Sequence, residues 1–358
     1  MSEPPTQEFD DHEPIASDEQ RATHPSVHWQ LGRRTLPWPK VLGLMGAVLA
    51  VWLVLNSTTL LHNAEVSPVG ARRSLSMALL RPIASVANAL QISELEKGAN
   101  LALGRTALGA EQTHILKTAG PVPKKQRPTK GGVTTTTVDP LKGASAAAPA
   151  RILLLGDSLG LDLGGSLQNA LASTGIVSAT LDGKESTGLT RPDYFDWPAQ
   201  LNSDMNALHP QVIVAMMGAN DPQDFLIPGS SNIGYGTDAW KAEYEKRAVA
   251  FMQEATSQGA KLVWVSLPSM RDPALNAKIA TVNELQKQAA QQVPGVVYLD
   301  AGSVLGGTSA PYSDFVSQGG QNILVRTQDG IHITPQGGDL LARYVMAQLK
   351  ARYGIPLP

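Results

Sequence analysis

After residue 150, short apolar runs alternate regularly with longer helix-forming segments, and this alternation is what most constrains the fold. The apolar runs are "RILLLGD", "IVSATLDG", "VIVAMMGAND", "KLVWVSLP" and "GVVYLDAG", in that order. Helices are predicted near residues 159–174, 198–208, 239–259, 273–292 and 335–353. Continuous apolar strands between helices are typical of a parallel sheet buried on both faces. Residues 151–358 are therefore predicted to form a three-layer α/β/α domain with a central parallel sheet.

The preceding 150 residues have a different composition. Residues 1–40 are rich in Pro, Gln, His and acidic groups, and are predicted to be a disordered tail. Residues 41–61 carry no charged side chain over 21 positions. That length suits a transmembrane helix across a hydrocarbon core of roughly 30 Å. Residues 62–117 are predicted to form a helical stalk, and residues 118–150, rich in Pro, Gly, Thr and Ala, a flexible linker.

Basic residues around the apolar segment predict its orientation. Arg33, Arg34 and Lys40 precede the segment, whereas Arg72 and Arg73 lie beyond its end. The positive-inside rule then places the N-terminus in the cytoplasm and the α/β domain on the outer side. The alternatives are a buried helix of a globular domain and a cleaved signal, but forty residues ahead of the segment are too many for an ordinary signal peptide.

Composition excludes several classes of function. A net charge of −2 provides no overall basic field, so no nucleic-acid partner is predicted. Cysteine is absent, which excludes disulfides, thiolate nucleophiles and cysteine-bound metals. No histidine and carboxylate group has the spacing of metal ligands, and no glycine loop resembles a phosphate cradle. The sequence predicts neither a metal nor a cofactor.

Candidate site residues follow three of the predicted strands. In an open parallel sheet, ligands bind at the carboxyl ends of the strands. Ser158 follows the first strand, Gly188 lies shortly after the second, and Asn220 follows the third. The domain contains two histidines, and His209 precedes a strand, so it belongs at the opposite edge. His332, after the last strand, is therefore the candidate base for Ser158.

Asp329 lies three residues before His332. This spacing allows its carboxylate to accept a hydrogen bond from the imidazole, which fixes the tautomer and stabilises the imidazolium formed when His332 takes a proton from Ser158. The three residues are therefore candidates for a catalytic triad.

Acyl transfer also needs hydrogen-bond donors for the developing oxyanion. The available donors are the backbone N–H groups of Ser158 and Gly188 and the side-chain amide of Asn220. Gly183, five residues before Gly188, remains the alternative glycine.

Other residues near this edge have open roles. Asp157 and Asp221 are interpreted as residues that brace the turn and the loops. Aromatic side chains in the nearby loops are interpreted as core residues, with stacking on sugar rings as the alternative. They are Tyr194, Phe195, Trp197, Tyr235 and Trp240.

Together these residues resemble the four sequence blocks of the SGNH, or GDSL, hydrolases, over about residues 151–350. The blocks are "GDSL" at 156–159, Gly188 in "STGLTRP", "GAND" at 218–221 and "DGIH" at 329–332. The resemblance implies a flavodoxin-like α/β/α fold and an acyl-enzyme on Ser158. It also implies a triad of Ser158, Asp329 and His332 and an oxyanion hole of Ser158, Gly188 and Asn220. A literal G-x-S-x-G match at 156–160 is interpreted as accidental, because Asp329 lies beside the histidine.

The anchored architecture and the stretch "GLTRPDYFDWP" resemble bacterial SGNH proteins related to cell-envelope polysaccharide modification. The resemblance implies a single-pass protein of the bacterial inner membrane with a periplasmic catalytic domain. The predicted function is a serine esterase that removes O-acetyl groups from an envelope polysaccharide. The alternatives are a polysaccharide O-acetyltransferase with the same triad and a non-catalytic envelope assembly or binding protein.

Overall fold

The structure is a computed structural model that describes residues 37–66, 71–89, 114–121, 141–227, 231–306 and 312–358. Nearly all of the predicted tail and most of the predicted linker lie outside the described residues. The chain divides into two compact units, Met1–Val51 and Trp52–Pro358.

The first helix, α1, spans Trp38–Leu55 with a mean hydropathy of 1.8, and none of its side chains is buried in the protein. Within the part of the chain that the structure describes, it is the one helix long and apolar enough to span a membrane. The apolar segment predicted over 41–61 is divided between α1 and α2, Ser57–Val66. At the junction, the Asn56 side chain donates to the Trp52 carbonyl at 2.8 Å and Ser57 Oγ donates to the Val54 carbonyl at 2.8 Å. Such local side-chain bonds compete with regular helix geometry.

A third helix, α3, spans Ala71–Ala89, contains Pro82 and packs against α2. Its side chains Met77, Ala84 and Ala87 are buried. Helix α3 and the second half of α2 fall within the predicted helical stalk, of which residues 67–70 and 90–113 lie outside the described residues.

A six-stranded sheet forms the centre of the second unit, in the order β1-β3-β2-β4-β5-β6. Its strands are β1 Ile115–Ala119, β2 Ala150–Gly156, β3 Val177–Gly183, β4 Val212–Met216, β5 Lys261–Val265 and β6 Val296–Leu299. All neighbouring pairs from β2 to β6 are parallel, and β1 pairs antiparallel to β3. The predicted parallel sheet is thus confirmed for five strands and corrected at one edge.

Five long helices cover the sheet: α4 Ser158–Ser173, α5 Trp197–Leu208, α6 Asp238–Thr256, α7 Pro273–Gln292 and α9 Pro335–Tyr353. The chain passes from β2 through α4 to β3, which lies on one side of β2 in the sheet. The connections through α5, α6 and α7 run in the opposite direction across the sheet, to β4, β5 and β6 in turn. Right-handed crossovers therefore place α4 on one face of the sheet and the other three on the opposite face. Helix α9 packs against α4. The predicted three-layer architecture is confirmed.

Helix ends agree with the capping residues in the sequence. Thr334 caps α9 by accepting from the Gly337 N–H at 3.1 Å, and Gly354 ends that helix at φ 67°. His209 lies at the C-cap of α5 with φ 46°, at the opposite edge from the candidate site.

Three small elements were not predicted. They are β1, the short helix α8 at Gly302–Leu305, and a hairpin of β7 Phe315–Gln318 with β8 Gln321–Leu324. Strand β1, "ILKTA", is largely exposed and contains Lys117 and Thr118, so it lacks the apolar run that identifies the central strands. It lies where the predicted stalk meets the predicted linker.

The strand register brings three chain segments to one place. Gly156, the last residue of β2, pairs with Gly183 on one side and with Met216 on the other. The residues that follow β2, β3 and β4 therefore leave the sheet at the same edge. The direction of the chain connections changes at β2, which makes this edge the expected ligand crevice.

Candidate active site

Ser158 is the first residue of α4 and lies half-buried in the turn after β2. The preceding Asp157 is fully buried and caps the helix. Its Oδ1 accepts from the N–H groups of Leu159 at 3.0 Å and Gly160 at 3.4 Å. The Ser158 N–H lies at the N-terminus of this helix and is not among the two donors that Asp157 accepts from. A helix N-terminus favours negative charge at this position.

The second oxygen of Asp157 holds the loop after β4. Asp157 Oδ2 accepts from the N–H groups of Gly218 at 2.9 Å and Ala219 at 3.1 Å. Burial raises the pKa of Asp157 to about 6, against the lowering effect of these N–H donors. One carboxylate therefore joins the "GDSL" turn to the "GAND" loop, in agreement with the bracing role inferred from the sequence.

Asn220 and Gly188 are brought together by one contact. Asn220 Nδ2 donates to the Thr187 carbonyl at 3.1 Å, at the peptide bond that joins Thr187 to Gly188. The amide has two N–H groups, so one remains for a ligand. Gly183 is the last residue of β3, and a Cβ there would lie 2.2 Å from Leu161 Cδ2. The structure thus gives Gly183 a packing role and places Gly188 beside Asn220.

Asp221 explains why residue 188 is a glycine. Its buried carboxylate accepts from Thr190 N at 2.9 Å, Thr190 Oγ1 at 3.0 Å and the Tyr244 hydroxyl at 2.8 Å. A Cβ at Gly188 would lie only 2.1 Å from Asp221 Oδ1. Burial raises the pKa of Asp221, and the three hydrogen bonds oppose that effect. The loop that carries Gly188 is therefore packed directly on a fixed carboxylate.

A buried polar network contacts the start of the "GAND" loop and the tyrosine that binds Asp221. Gln286 Nε2 donates to the Met217 carbonyl at 2.9 Å and to the Tyr244 hydroxyl at 3.0 Å. Gln286 Oε1 accepts from Trp264 Nε1 at 3.0 Å. Fully satisfied networks of this kind make a site rigid. Their members come from α6, α7 and β5, which no local sequence pattern connects.

His332 and Asp329 are in direct contact. Asp329 Oδ2 lies 2.6 Å from His332 Nδ1. Asp329 Oδ1 accepts from Thr327 Oγ1 at 2.6 Å and from the N–H groups of Ile331 at 2.8 Å and His332 at 3.0 Å. Partial burial would raise the pKa of Asp329, but the hydrogen bonds from His332, Thr327 and the backbone outweigh it and hold that pKa well below its usual range. An ionised carboxylate only accepts, so Nδ1 carries the proton and the Nε2 lone pair is available.

The loop that carries His332 is tied to the helix that begins with Ser158. The N–H of Ile333 donates to Asp162 Oδ2 at 2.8 Å, and Asp162 lies one helical turn beyond Ser158. Arg326 Nη2 donates to the Ile331 carbonyl at 2.6 Å, and the Arg271 N–H donates to the Gly330 carbonyl at 3.0 Å. The structure therefore places His332 at the same edge of the sheet as Ser158.

The core role expected for these aromatic residues is confirmed for two of them. Trp197 and Trp240 have no exposed surface. Trp197 Nε1 donates to Thr187 Oγ1 at 2.9 Å, and Trp240 stacks on Tyr244 with ring centroids 5.1 Å apart. Both are core residues that hold the site loops. Tyr194, Phe195 and Tyr235 are half-buried.

No group of three or more His, Cys, Asp or Glu residues that could hold a metal ion occurs in the described ranges.

A family model described as "Protein of unknown function (DUF459)" matches residues 151–348. Among curated proteins, none matches the chain. The chain is similar to the solved structure of a GDSL-like lipase from Bacteroides thetaiotaomicron, at 13% identity, over 56% of this chain and 88% of that one, with a TM-score of 0.41. It is also similar to a carbohydrate esterase family 3 protein from Talaromyces cellulolyticus, at 13% identity, over 56% and 97% of the two chains, with a TM-score of 0.40. For a catalytic mutant of an acetylxylan esterase from Geobacillus stearothermophilus, the identity is 15%, the coverage is 56% and 94%, and the TM-score is 0.40.

Proposed function

The chain belongs to the DUF459 family, which is SGNH-like, and we propose that it is a membrane-anchored serine esterase that removes O-acetyl groups from a cell-envelope polysaccharide. One observation carries this proposal. The Asp329–His332 pair, in contact at 2.6 Å, belongs to a loop that hydrogen-bonds to the helix begun by Ser158. An imidazole oriented by a carboxylate, on a loop joined to the helix that a serine begins, is suited to nucleophilic catalysis.

In the proposed reaction, Ser158 Oγ attacks the ester carbonyl carbon while His332 Nε2 takes the hydroxyl proton. The ionised Asp329 holds the proton on Nδ1 and stabilises the imidazolium that forms. The carbonyl oxygen becomes an oxyanion, for which the donors are the N–H groups of Ser158 and Gly188 and the free N–H of Asn220.

Collapse of this intermediate breaks the ester C–O bond. The leaving sugar oxygen takes the proton from His332, and the acyl group stays on Ser158 Oγ. Water then attacks the acyl carbon while His332 accepts its proton. Collapse of the second intermediate releases the carboxylic acid and returns the proton to Ser158.

The choice of substrate rests on the chain architecture. Helix α1 has the length and the apolar surface of a membrane span. An anchor with its N-terminus in the cytoplasm would keep the catalytic domain in the periplasm, close to envelope polymers. An O-acetylated polysaccharide is an ester-bearing substrate that such a tethered domain meets at high effective concentration.

Turnover of p-nitrophenyl acetate by the full chain in detergent tests the proposal. Ser158→Ala is expected to abolish turnover and to keep the thermal unfolding of the wild type. Ser173→Ala is the matched control, because Ser173 is an exposed residue at the other end of the same helix. Equal turnover by wild type and Ser158→Ala would overturn the assignment.

The acceptor of the acyl group needs its own experiment. The purified protein is incubated with an acetyl donor and a polysaccharide, and free acetate and acetylated sugar are both measured. Release of acetate alone supports the esterase. Acetyl transfer to the sugar would overturn the esterase assignment in favour of an O-acetyltransferase that uses the same residues.

A further inference from the structure

A carboxylate outside the four SGNH blocks contacts the histidine loop. Asp162 lies four residues after Ser158 on α4, so both residues lie on the same face of the helix, one turn apart. Its side chain is half-buried. Asp162 Oδ2 accepts the Ile333 N–H at 2.8 Å. Asp162 and Ile333 are far apart in the chain, and Ile333 directly follows His332.

The surroundings of this bond are closely packed. Ile333 is buried, and the next residue, Thr334, is the N-cap of α9. Helices α4 and α9 approach so closely that a Cβ at Gly338 would lie 2.9 Å from the Asp162 carbonyl oxygen. The backbone is therefore closely packed on both sides of the hydrogen bond, which joins the residue after His332 to α4.

The charged groups that face Asp162 are His332, Asp329 and Arg326. Burial raises the pKa of Asp162, whereas the Ile333 N–H and the charges of His332 and Arg326 lower it. An ionised Asp162 would add negative charge near the imidazole, which favours the imidazolium formed during acylation.

We infer that Asp162 is a positioning residue that holds the His332 loop on the nucleophile helix and supplies negative charge beside the imidazole. This inference rests on the proposed esterase mechanism. Asp162 does not contact the reacting atoms, so its effect reaches the reaction through His332.

Two substitutions separate the hydrogen bond from the charge. Asp162→Ala removes both and is expected to lower kcat/KM about 10- to 100-fold through kcat, with KM nearly unchanged. Asp162→Asn keeps an acceptor oxygen and is expected to restore most of kcat. Without the charge, the imidazolium is less stable, so the acid limb of the pH profile should move to lower pH. Asp339→Asn is the control, an exposed carboxylate on α9.

The assay uses the full chain in detergent with p-nitrophenyl acetate, and thermal unfolding checks that each variant folds. A kcat/KM for Asp162→Ala within about two-fold of the wild type would overturn the inference. An acid limb that stays in place in Asp162→Asn would overturn the role of the charge.

A second readout does not depend on turnover. Hydrogen exchange of the peptide that contains Ile333 is expected to be faster in Asp162→Ala than in the wild type and in Asp339→Asn, because the Ile333 N–H loses its acceptor. Equal exchange in all three proteins would overturn the positioning role. If the wild type hydrolyses no ester, the proposed function fails, and the exchange measurement still decides whether Asp162 holds the loop.

Discussion

Replacing Gly188 with alanine is expected to disturb the loops of the oxyanion site. The added Cβ would lie 2.1 Å from Asp221 Oδ1, 2.7 Å from Asp221 Cγ and 3.0 Å from Asp221 Oδ2. Ordinary contacts of carbon with its neighbours are about 3.5 Å or longer. Either the Asp221 carboxylate or the backbone at 187–189 must therefore move by about 1 Å.

Both movements are costly. Asp221 is fully buried and accepts three hydrogen bonds of 2.8–3.0 Å from Thr190 and Tyr244. A hydrogen bond to a charged group contributes about 1.5–3 kcal/mol, so breaking two of them lowers the free energy of unfolding by roughly 3–6 kcal/mol. If the backbone moves instead, the Thr187 carbonyl separates from Asn220 Nδ2, and the Asn220 amide loses the contact that orients it. Loss of one oxyanion donor lowers kcat roughly 10²- to 10³-fold.

Chemical unfolding and turnover of an acetyl ester measure the two effects, and two other glycines serve as controls. Gly165 on α4 has no atom within 4 Å of an added Cβ, so Gly165→Ala should be neutral or stabilise the helix by up to about 1 kcal/mol. Gly183→Ala meets the end of the Leu161 side chain, which can rotate away, so kcat should be retained. If Gly188→Ala has the stability and kcat of Gly165→Ala, contact with Asp221 does not restrict residue 188 to glycine.

Two further predictions concern the carboxylates of the site. Asp329→Asn places an amide N–H against His332 Nδ1 and forces the other tautomer of the imidazole. We therefore expect kcat to fall about 10⁴-fold while the circular dichroism spectrum is unchanged. A loss of kcat below about ten-fold would contradict the role of Asp329. Burial raises the pKa of Asp157 to about 6 in the folded protein, above its ordinary value, so the folded protein binds the proton more tightly than the unfolded chain. Its contribution to the free energy of unfolding should rise by up to about 3 kcal/mol as the pH falls from 7 to 4, and Asp157→Asn should lack this rise. Parallel pH dependences of the two proteins in denaturant titrations would count against a buried, ionisable Asp157.

Much of the fold is encoded in local patterns that a sequence reader can recognise. Strand β2 is an apolar run, and α9 has Thr334 before it and Gly354 after it. The order of such segments, with right-handed crossovers, restricts the sheet to few topologies. The three-residue spacing of Asp329 and His332 is equally local, which is why their contact could be expected.

The bracing contacts depend on the tertiary structure and have no local signal. Asp157 reaches the loop at Gly218, and Asp221 reaches Thr190, across long stretches of chain. The sequence shows that these carboxylates are adjacent to Ser158 and Asn220, but it does not show which N–H groups they bind. Trp197 likewise lies in a polar stretch of sequence, and its burial involves tertiary contacts such as the hydrogen bond from its Nε1 to Thr187.

Labelling with a serine-directed fluorophosphonate, followed by peptide mass spectrometry, determines whether Ser158 is an activated nucleophile. The full-length wild type is expected to carry the label on the peptide that contains Ser158. Ser158→Ala should carry none there, and His332→Ala should react much more slowly. A wild-type protein that stays unlabelled, or a label that persists unchanged in Ser158→Ala, would contradict the claim that Ser158 is the nucleophile activated by His332.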